Sequence, residues 1–438
     1  MTAFHDKVLG SWLGMAIGEA MGSAVRGMKP ATIKQYFNSM DSYKEVRPFI
    51  GKGVKNYRMQ GLYGTQTQTA LVLCDLFLSK KKMDRDAFLS NLLELKQTGP
   101  ELYYGMYRRP EACFRRALES VPKNPECEPP EPGIATATFV TVGVIPALYY
   151  HGRTKAIVQN SLLACLTLSR KFQELVGTLV AARLVDNLLE IPPESKVNMQ
   201  WQKILGNAVR FAKEAETELP KILPSICVEL PQKTINGVSS AFEILTKEGL
   251  DMDEALRVIT KHATEKLSRP ISHPTQGTSL TLPPIALWML ANCDSFGETL
   301  TSTLNLGGES DKLGAIVGAL AGAFYGANSI PEAWRSGLVN TKEIKIRGDA
   351  LATRKKPSKL KPLFEMEAGL TRKEAEERAK FLTSEPKKKL RHQSKANALE
   401  EEGENALPER ENRKGRRIYE REKSRKKRDR RRNIDWQE

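Results

Sequence analysis

Cysteine and histidine are scarce in this chain, six and five among 438 residues. The cysteines (Cys74, Cys113, Cys127, Cys165, Cys227 and Cys293) are scattered with no C-x-x-C pair, and the histidines are dispersed, so zinc-ligand spacing is absent. Cys74 and Cys165 fall inside apolar helical runs and read as buried, reduced thiols. Sustained period-two alternation with β-branched residues is also missing, which argues against a sheet-based fold. The uncharged run from Leu313 to Ile330 falls short of the ~20 residues of a membrane span and is too rich in small residues to face lipid. Asp6 and Glu19 interrupt the N-terminal apolar stretch, which is not the pattern of a signal peptide. The expectation is a cytoplasmic protein without membrane contact.

The net charge of +16 suggests a polyanion binder until it is divided. Residues 341–438 hold 31 Lys/Arg and 19 Asp/Glu, a balance of +12, which leaves +4 for residues 1–340. Basic character therefore belongs to the C-terminal segment, and the body is close to neutral.

What is present is helical spacing. The stretch Asn305 to Ala327, NLGGESDKLGAIVGALAGAFYGA, runs from a double-glycine turn with charged residues into an uncharged helix. Gly314, Gly318, Gly322 and Gly326 recur every fourth residue, a ridge without side chains against which another backbone can pack closely. Gly10, Gly14, Gly18 and Gly22 repeat the ladder near the N-terminus, and the two helices are expected to pack together or around a common centre. The polar residues Glu309 to Lys312 stand at a helix N-terminus, suited either to an oxygen-rich or phosphate ligand or to an ordinary cap. Further helices are expected at 66–79, 84–97, 111–121, from 135 to about 190, at about 199–217, 236–247 and 253–268, and from 281. Asp251 with Glu254 forms a capping-box pattern. The reading is an all-α, compact multi-helix body over 1–340. Residues 341–438 read as a basic, low-complexity and largely disordered tail, with a short helix at 371–382 capped by Thr371 with Glu374. The run RKGRRIYEREKSRKKRDRRR (413–432) either contacts nucleic acid or an acidic surface, or only solubilises the chain.

Three polar segments meet helix N-termini: GMAIGEAMGSAVRGM from Gly14, YGTQTQTALVL from Tyr63 and NLGGESDKLGAIVGALAGAFYG from Asn305, the last followed by IPEAW. Together with GTSLTLPPIALW (277–288) they resemble, in order and over residues 4–338, the motifs of the ADP-ribosylglycohydrolase family. The resemblance implies an all-α fold and a reaction that cleaves the glycosidic bond of ADP-ribosylated proteins with a pair of magnesium ions. The family's T-D-D and D-T-D-T ligand segments fall at Gly64, Thr65, Gln66, Glu309, Asp311 and Lys312.

Of these only Asp311 keeps the family's residue, and Glu309 is a longer carboxylate. Two carboxylates beside an ammonium carry a net −1, where four would offset most of the +4 of two Mg²⁺. Lys312 is placed to stand in part of the metal's position, paired with Glu309 or Asp311. The family's early glutamate falls at Arg26, which cannot accept a proton; Glu19 stands in place of a nearby Asp and is a candidate base. The family's central G-A-x-M-R run reads IATATFV here. The expectation is a degenerate member without a resident cofactor, one Mg²⁺ being the alternative, with metal positions Glu309, Asp311, Thr65 and Gln66 and no residue assigned a catalytic role. ADP-ribose, or an ADP-ribosylated protein, would meet Gly307, Gly308, Ser310, Arg26 and Lys312, with glycine N–H groups on the pyrophosphate. The alternatives are an active, divergent hydrolase and a scaffold that binds nucleic acid through its basic tail.

Overall fold

A computed structural model of the chain describes residues 2–52, 54, 56–121, 136–192, 198–227, 234–267 and 270–384. The regular structure of the described residues is helical, joined by turns and loops, with two isolated β-bridges (Ile50 with Val54, Tyr104 with Tyr107) and no strand. None of their helices is long and apolar enough to cross a membrane. The basic run 413–432 lies outside the described residues.

At the centre, helix α1 (Ala3–Gly22) lies antiparallel to a later glycine-ridged helix, Ser310–Tyr325, and the two ladders interlock. A Cβ on Gly14 would lie 2.1 Å from the Gly318 carbonyl oxygen, and one on Gly18 would lie 1.9 Å from that of Gly314. Gly10 faces Gly322, and Gly22 faces Ser310 in the same way. Only hydrogen fits at these positions, so backbone touches backbone for most of the length of both helices. Around this pair are arranged α2 (Thr65–Lys80), α4 (Phe172–Glu190) and α5 (Leu282–Asn292), while the short α3 (Ala112–Ser120) packs through Phe114 against Tyr107; the later ladder helix is α6 (Ser310–Tyr325). Helices α1 and α6 are buried on nearly every face, which explains their lack of an amphipathic pattern. Cys74 and Cys165 are buried free thiols.

The compact unit runs to Ser384, past the boundary expected at residue 340. Two further helices, α7 (Thr341–Thr353) and α8 (Leu363–Ser384), pack on the body. Buried Arg347 of α7 holds both oxygens of Asp75 on α2, at 2.8 and 2.9 Å, and accounts for the docking of that helix. Thr371 and Glu374, expected to cap a short helix at 371–382, sit in the middle of the longer α8 with their side chains buried. They face buried Arg108 and largely buried Arg109, so polar residues that suggested a solvent-exposed tail belong to an internal polar contact. Asp251 does cap its helix, accepting from the Glu254 N–H at 2.8 Å.

The glycine contact predicts a sharp asymmetry. Gly18→Ala should cost about 3 kcal/mol or more, because both partners are backbone and cannot yield. Gly206→Ala, on an exposed helix position with nothing within 4 Å of the added methyl, should stabilise by about 0.5–1 kcal/mol. Urea denaturation of the two variants measures the difference.

Candidate ligand site at the end of the paired helices

The interlocked helices bring the C-terminal end of α1 to the N-terminal end of α6. The turn after α1 and the turn before α6 are joined by two backbone hydrogen bonds, Gly27 N–H to Gly308 O at 2.6 Å and Gly308 N–H to Met28 O at 2.9 Å. Gly307 and Gly308 take φ of +67° and +63°, a consecutive left-handed pair that glycine adopts without steric cost. The hydroxyl of Ser310 donates to Gly22 O at 2.7 Å. Arg26 is thereby set beside Asp311, although 285 residues separate them in sequence.

Five charged side chains meet there. Arg26 donates to Asp311 Oδ2 at 3.2 Å and to Glu111 Oε1 at 2.9 Å. Lys312 Nζ lies 2.7 Å from the same Glu111 oxygen and pairs with Glu309. The Lys312 ammonium and Glu309 carboxylate press against Gly277, where a Cβ would lie 2.3 Å from each. Glu111 is the centre of the cluster: its other oxygen accepts from the Thr138 hydroxyl and lies 3.5 Å from Cys113 Sγ. Lys312 is almost wholly buried, whereas the Arg26 and Glu309 side chains are 22% and 30% exposed and form the open side of the cluster. A lysine in the first turn of a helix opposes the helix dipole; here Glu111 and Glu309 supply the compensating charge. Burial disfavours the ammonium, but those two carboxylates outweigh it and push the Lys312 pKa up.

The expected site residues have different places in this geometry. Arg26, Glu309, Asp311 and Lys312 converge. Gly307 and Gly308 are adjacent but their N–H groups are already spent, on Leu304 O at 3.1 Å and Met28 O at 2.9 Å, and cannot also hold a pyrophosphate. Ser310 is fully buried with its hydroxyl donated to Gly22. Thr65 donates to Arg108 O at 2.7 Å and Gln66 accepts from Thr141 at 2.7 Å, rather than entering the Lys312 cluster. Glu19 is not an available base: its two oxygens accept from the N–H groups of Gln66, at 3.0 Å, and Thr67, at 2.8 Å, capping α2 across the helix pair. Glu111 was invisible to motif comparison. Its sequence signal is slight: it is the residue before α3, a position that favours Ser, Thr, Asp or Asn, and its side chain does not cap that helix.

This donor set does not fit the pair of Mg²⁺ ions that the family resemblance implies. Each carboxylate of the Glu111, Glu309 and Asp311 group already contacts an ammonium or guanidinium of the chain, and the opposite half contributes only neutral Thr65 and Gln66 side chains. Among the described residues no group of three or more His, Cys, Asp or Glu is placed to hold a metal.

Burial would raise the Glu111 pKa, but the charges of Lys312 and Arg26, with hydrogen bonds from Lys312 and Thr138, reverse this and hold it at about 2 against an ordinary 4.5. A carboxyl whose pKa is lower in the folded state stabilises the fold fully above its ordinary value, and that contribution disappears as pH falls from about 4.5 to about 2. Glu111→Gln should therefore cost on the order of 3 kcal/mol at pH 7. In chemical denaturation the gap from wild type should narrow steadily below pH 4.5; parallel pH curves would count against the assignment.

Comparison with known proteins agrees with this architecture. The ADP-ribosylglycohydrolase family model matches residues 1–360. The uncharacterised protein YegU of Escherichia coli is 24% identical over 361 residues, covering 79% of this chain and 96% of that protein. The ADP-ribosylarginine hydrolase Tri1 of Serratia proteamaculans is 23% identical over 347 residues, covering 77% of each. A solved structure described as an ADP-ribosylglycohydrolase-related protein complex superposes with a TM-score of 0.52 at 22% identity, covering 81% of this chain and 99% of that one, a likeness of fold. The family match takes in both glycine-ridged helices and all five charged residues of the cluster, and on it the chain belongs to the ADP-ribosylglycohydrolase family.

Proposed function

We propose that this protein is a metal-independent, catalytically silent or strongly impaired member of the family that still binds ADP-ribose or a related phosphate-bearing ligand. One observation carries the reading: the Lys312 ammonium lies between Glu111 and Glu309, beside the Arg26 guanidinium on Asp311, at the family's third motif. A divalent ion in such a site polarises bound water and supplies a nucleophile near neutral pH; an ammonium does neither. Glu111, held at about 2, is too weak a base to replace that function. Binding needs less. Glu309, on the open side, is placed to accept hydrogen bonds from ribose hydroxyls, and the partly exposed Arg26 is the cation nearest the opening for a diphosphate.

A second reading, an active hydrolase of divergent type, has one feature in its favour. Burial, aided by the neighbouring Glu111 charge and opposed by Lys312, pushes the Glu309 carboxyl above its ordinary range, toward what a general acid requires.

Calorimetric titration with ADP-ribose separates these possibilities from each other and from no binding. The expected outcome is the same affinity in EDTA and in millimolar Mg²⁺, with no ADP-ribose released from an ADP-ribosylated peptide in either buffer. Mg²⁺-stimulated release would overturn the proposal. Metal-independent release that Glu309→Gln abolishes would establish the second reading instead.

A further inference from the structure

Helix α8 begins beyond residue 360, where the family match ends, yet it grips the second motif and the segment that leads to Glu111. Glu367, fully buried, accepts from Arg108 Nη2 at 2.6 Å, from the Tyr63 hydroxyl at 2.6 Å and from Gln68 Nε2 at 2.9 Å. Arg108, also fully buried, donates to the Thr371 hydroxyl at 2.8 Å and to Tyr63 O at 2.9 Å, and its guanidinium lies over the Tyr63 ring. Two turns along α8, Glu374 pairs with Arg109 at 2.9 Å and accepts from the Met59 N–H at 3.1 Å. Arg109 reaches on to Leu62 O at 3.0 Å. One fully buried and one largely buried arginine–glutamate pair are a poor way to gain stability, since apolar residues of the same volume avoid the desolvation cost. What they do provide is a fixed geometry.

That geometry bears directly on the candidate site. Arg109 has a φ of +56°, a left-handed conformation unfavourable for a residue with a side chain, and it persists where surrounding contacts hold it. Two residues later the chain presents Glu111 to Lys312 and Arg26. Arg108 O accepts from Thr65, tying the same loop to the N-terminus of α2. We infer that Glu367 and Glu374 are positioning residues: through Arg108 and Arg109, α8 sets the place of the Glu111 carboxylate and of the 63–68 segment. The inference rests on the charged cluster being the ligand site.

The test uses full-length protein carrying Glu374→Gln, which keeps the side-chain shape and removes its charge. Cys113 reports on the cluster without any ligand, because its sulfur lies 3.0 Å from the Thr138 hydroxyl and 3.5 Å from Glu111. Alkylation by N-ethylmaleimide, mapped by mass spectrometry, should accelerate at Cys113 while buried Cys74 and Cys165 stay protected. ADP-ribose affinity should fall about tenfold. Unchanged Cys113 labelling in a variant that is merely less heat-stable would overturn the inference and leave α8 a stabilising helix. If Cys74 and Cys165 label as well, the variant has lost its fold, and Arg109→Lys, which keeps the charge but not both hydrogen bonds, is judged by the same readouts. Failure of the wild type to bind ADP-ribose would count against the proposed function, while the Cys113 pattern would still decide whether α8 positions the cluster.

Discussion

The contact between α1 and α6 is the constraint on which the rest of the molecule depends. At each ladder position a carbonyl oxygen of one helix occupies the space that a Cβ of the other would need. Such a fit fixes rotation and sliding together, since a shift by one residue would bring side chains such as Leu13 or Val317 against the facing backbone. With the register set, Gly22 must meet Ser310, and the serine hydroxyl closes the junction. Arg26 and Asp311 are then neighbours by consequence of packing fifteen or so residues away. The site is a product of the glycine ladders before it is a product of its own charges.

Those charges form a closed set. Glu111 bridges Arg26 and Lys312, Glu309 pairs with Lys312, and Asp311 with Arg26. Three carboxylates face two cations, and the least balanced of them, Glu309, is also the one most open to solvent. Compared with Mg²⁺, an ammonium brings half the charge and three directed hydrogen bonds, so it satisfies fewer carboxylates and fixes them less rigidly. The guanidinium of Arg26 supplies the second charge and the planar donors that the ammonium lacks.

Much of the fold could be read from the residues. The four-step glycine ladders, the absence of strand alternation and the Asp251 cap each have a local cause and a local signature, and all appear in the structure. Lys312 beside Glu309 was legible for the same reason, being three residues away on one helix. Glu111 was not, because nothing in Arg108–Pro110 announces that a residue preceding a helix will reach an ammonium 201 positions later in the chain. The glycine turn is the opposite case: its N–H groups looked available for a phosphate, but Gly308 spends its own on Met28 of the distant turn and Gly307 on Leu304 of its own turn. The α8 residues failed for a third reason. Glu367, Thr371 and Glu374 are polar, and polarity suggests solvent unless their partners, Arg108 and Arg109, are known.

The charges around this site make physical sense only together. The second motif has no carboxylate at Thr65 or Gln66, yet the N-terminus of α2 still receives one, because Glu19 reaches across from α1 to the Gln66 and Thr67 N–H groups. A buried carboxylate without a cation or several donors is costly. A chain that lost only its metal would leave such groups repelling one another at the end of its most rigid helix pair. Here each has an internal partner: Glu19 the α2 backbone, Asp311 and Glu111 the guanidinium, Glu309 and Glu111 the ammonium. Changing Arg26, Glu111 or Lys312 alone would disturb more than one of these pairs. An aspartate at Gln66 would have to share the α2 N-terminus with Glu19, and removing Lys312 alone would strip Glu111 and Glu309 of their common counter-ion. The cluster holds because the compensation is collective: each cation serves two carboxylates, so no single charge can be removed without leaving another short of its partner.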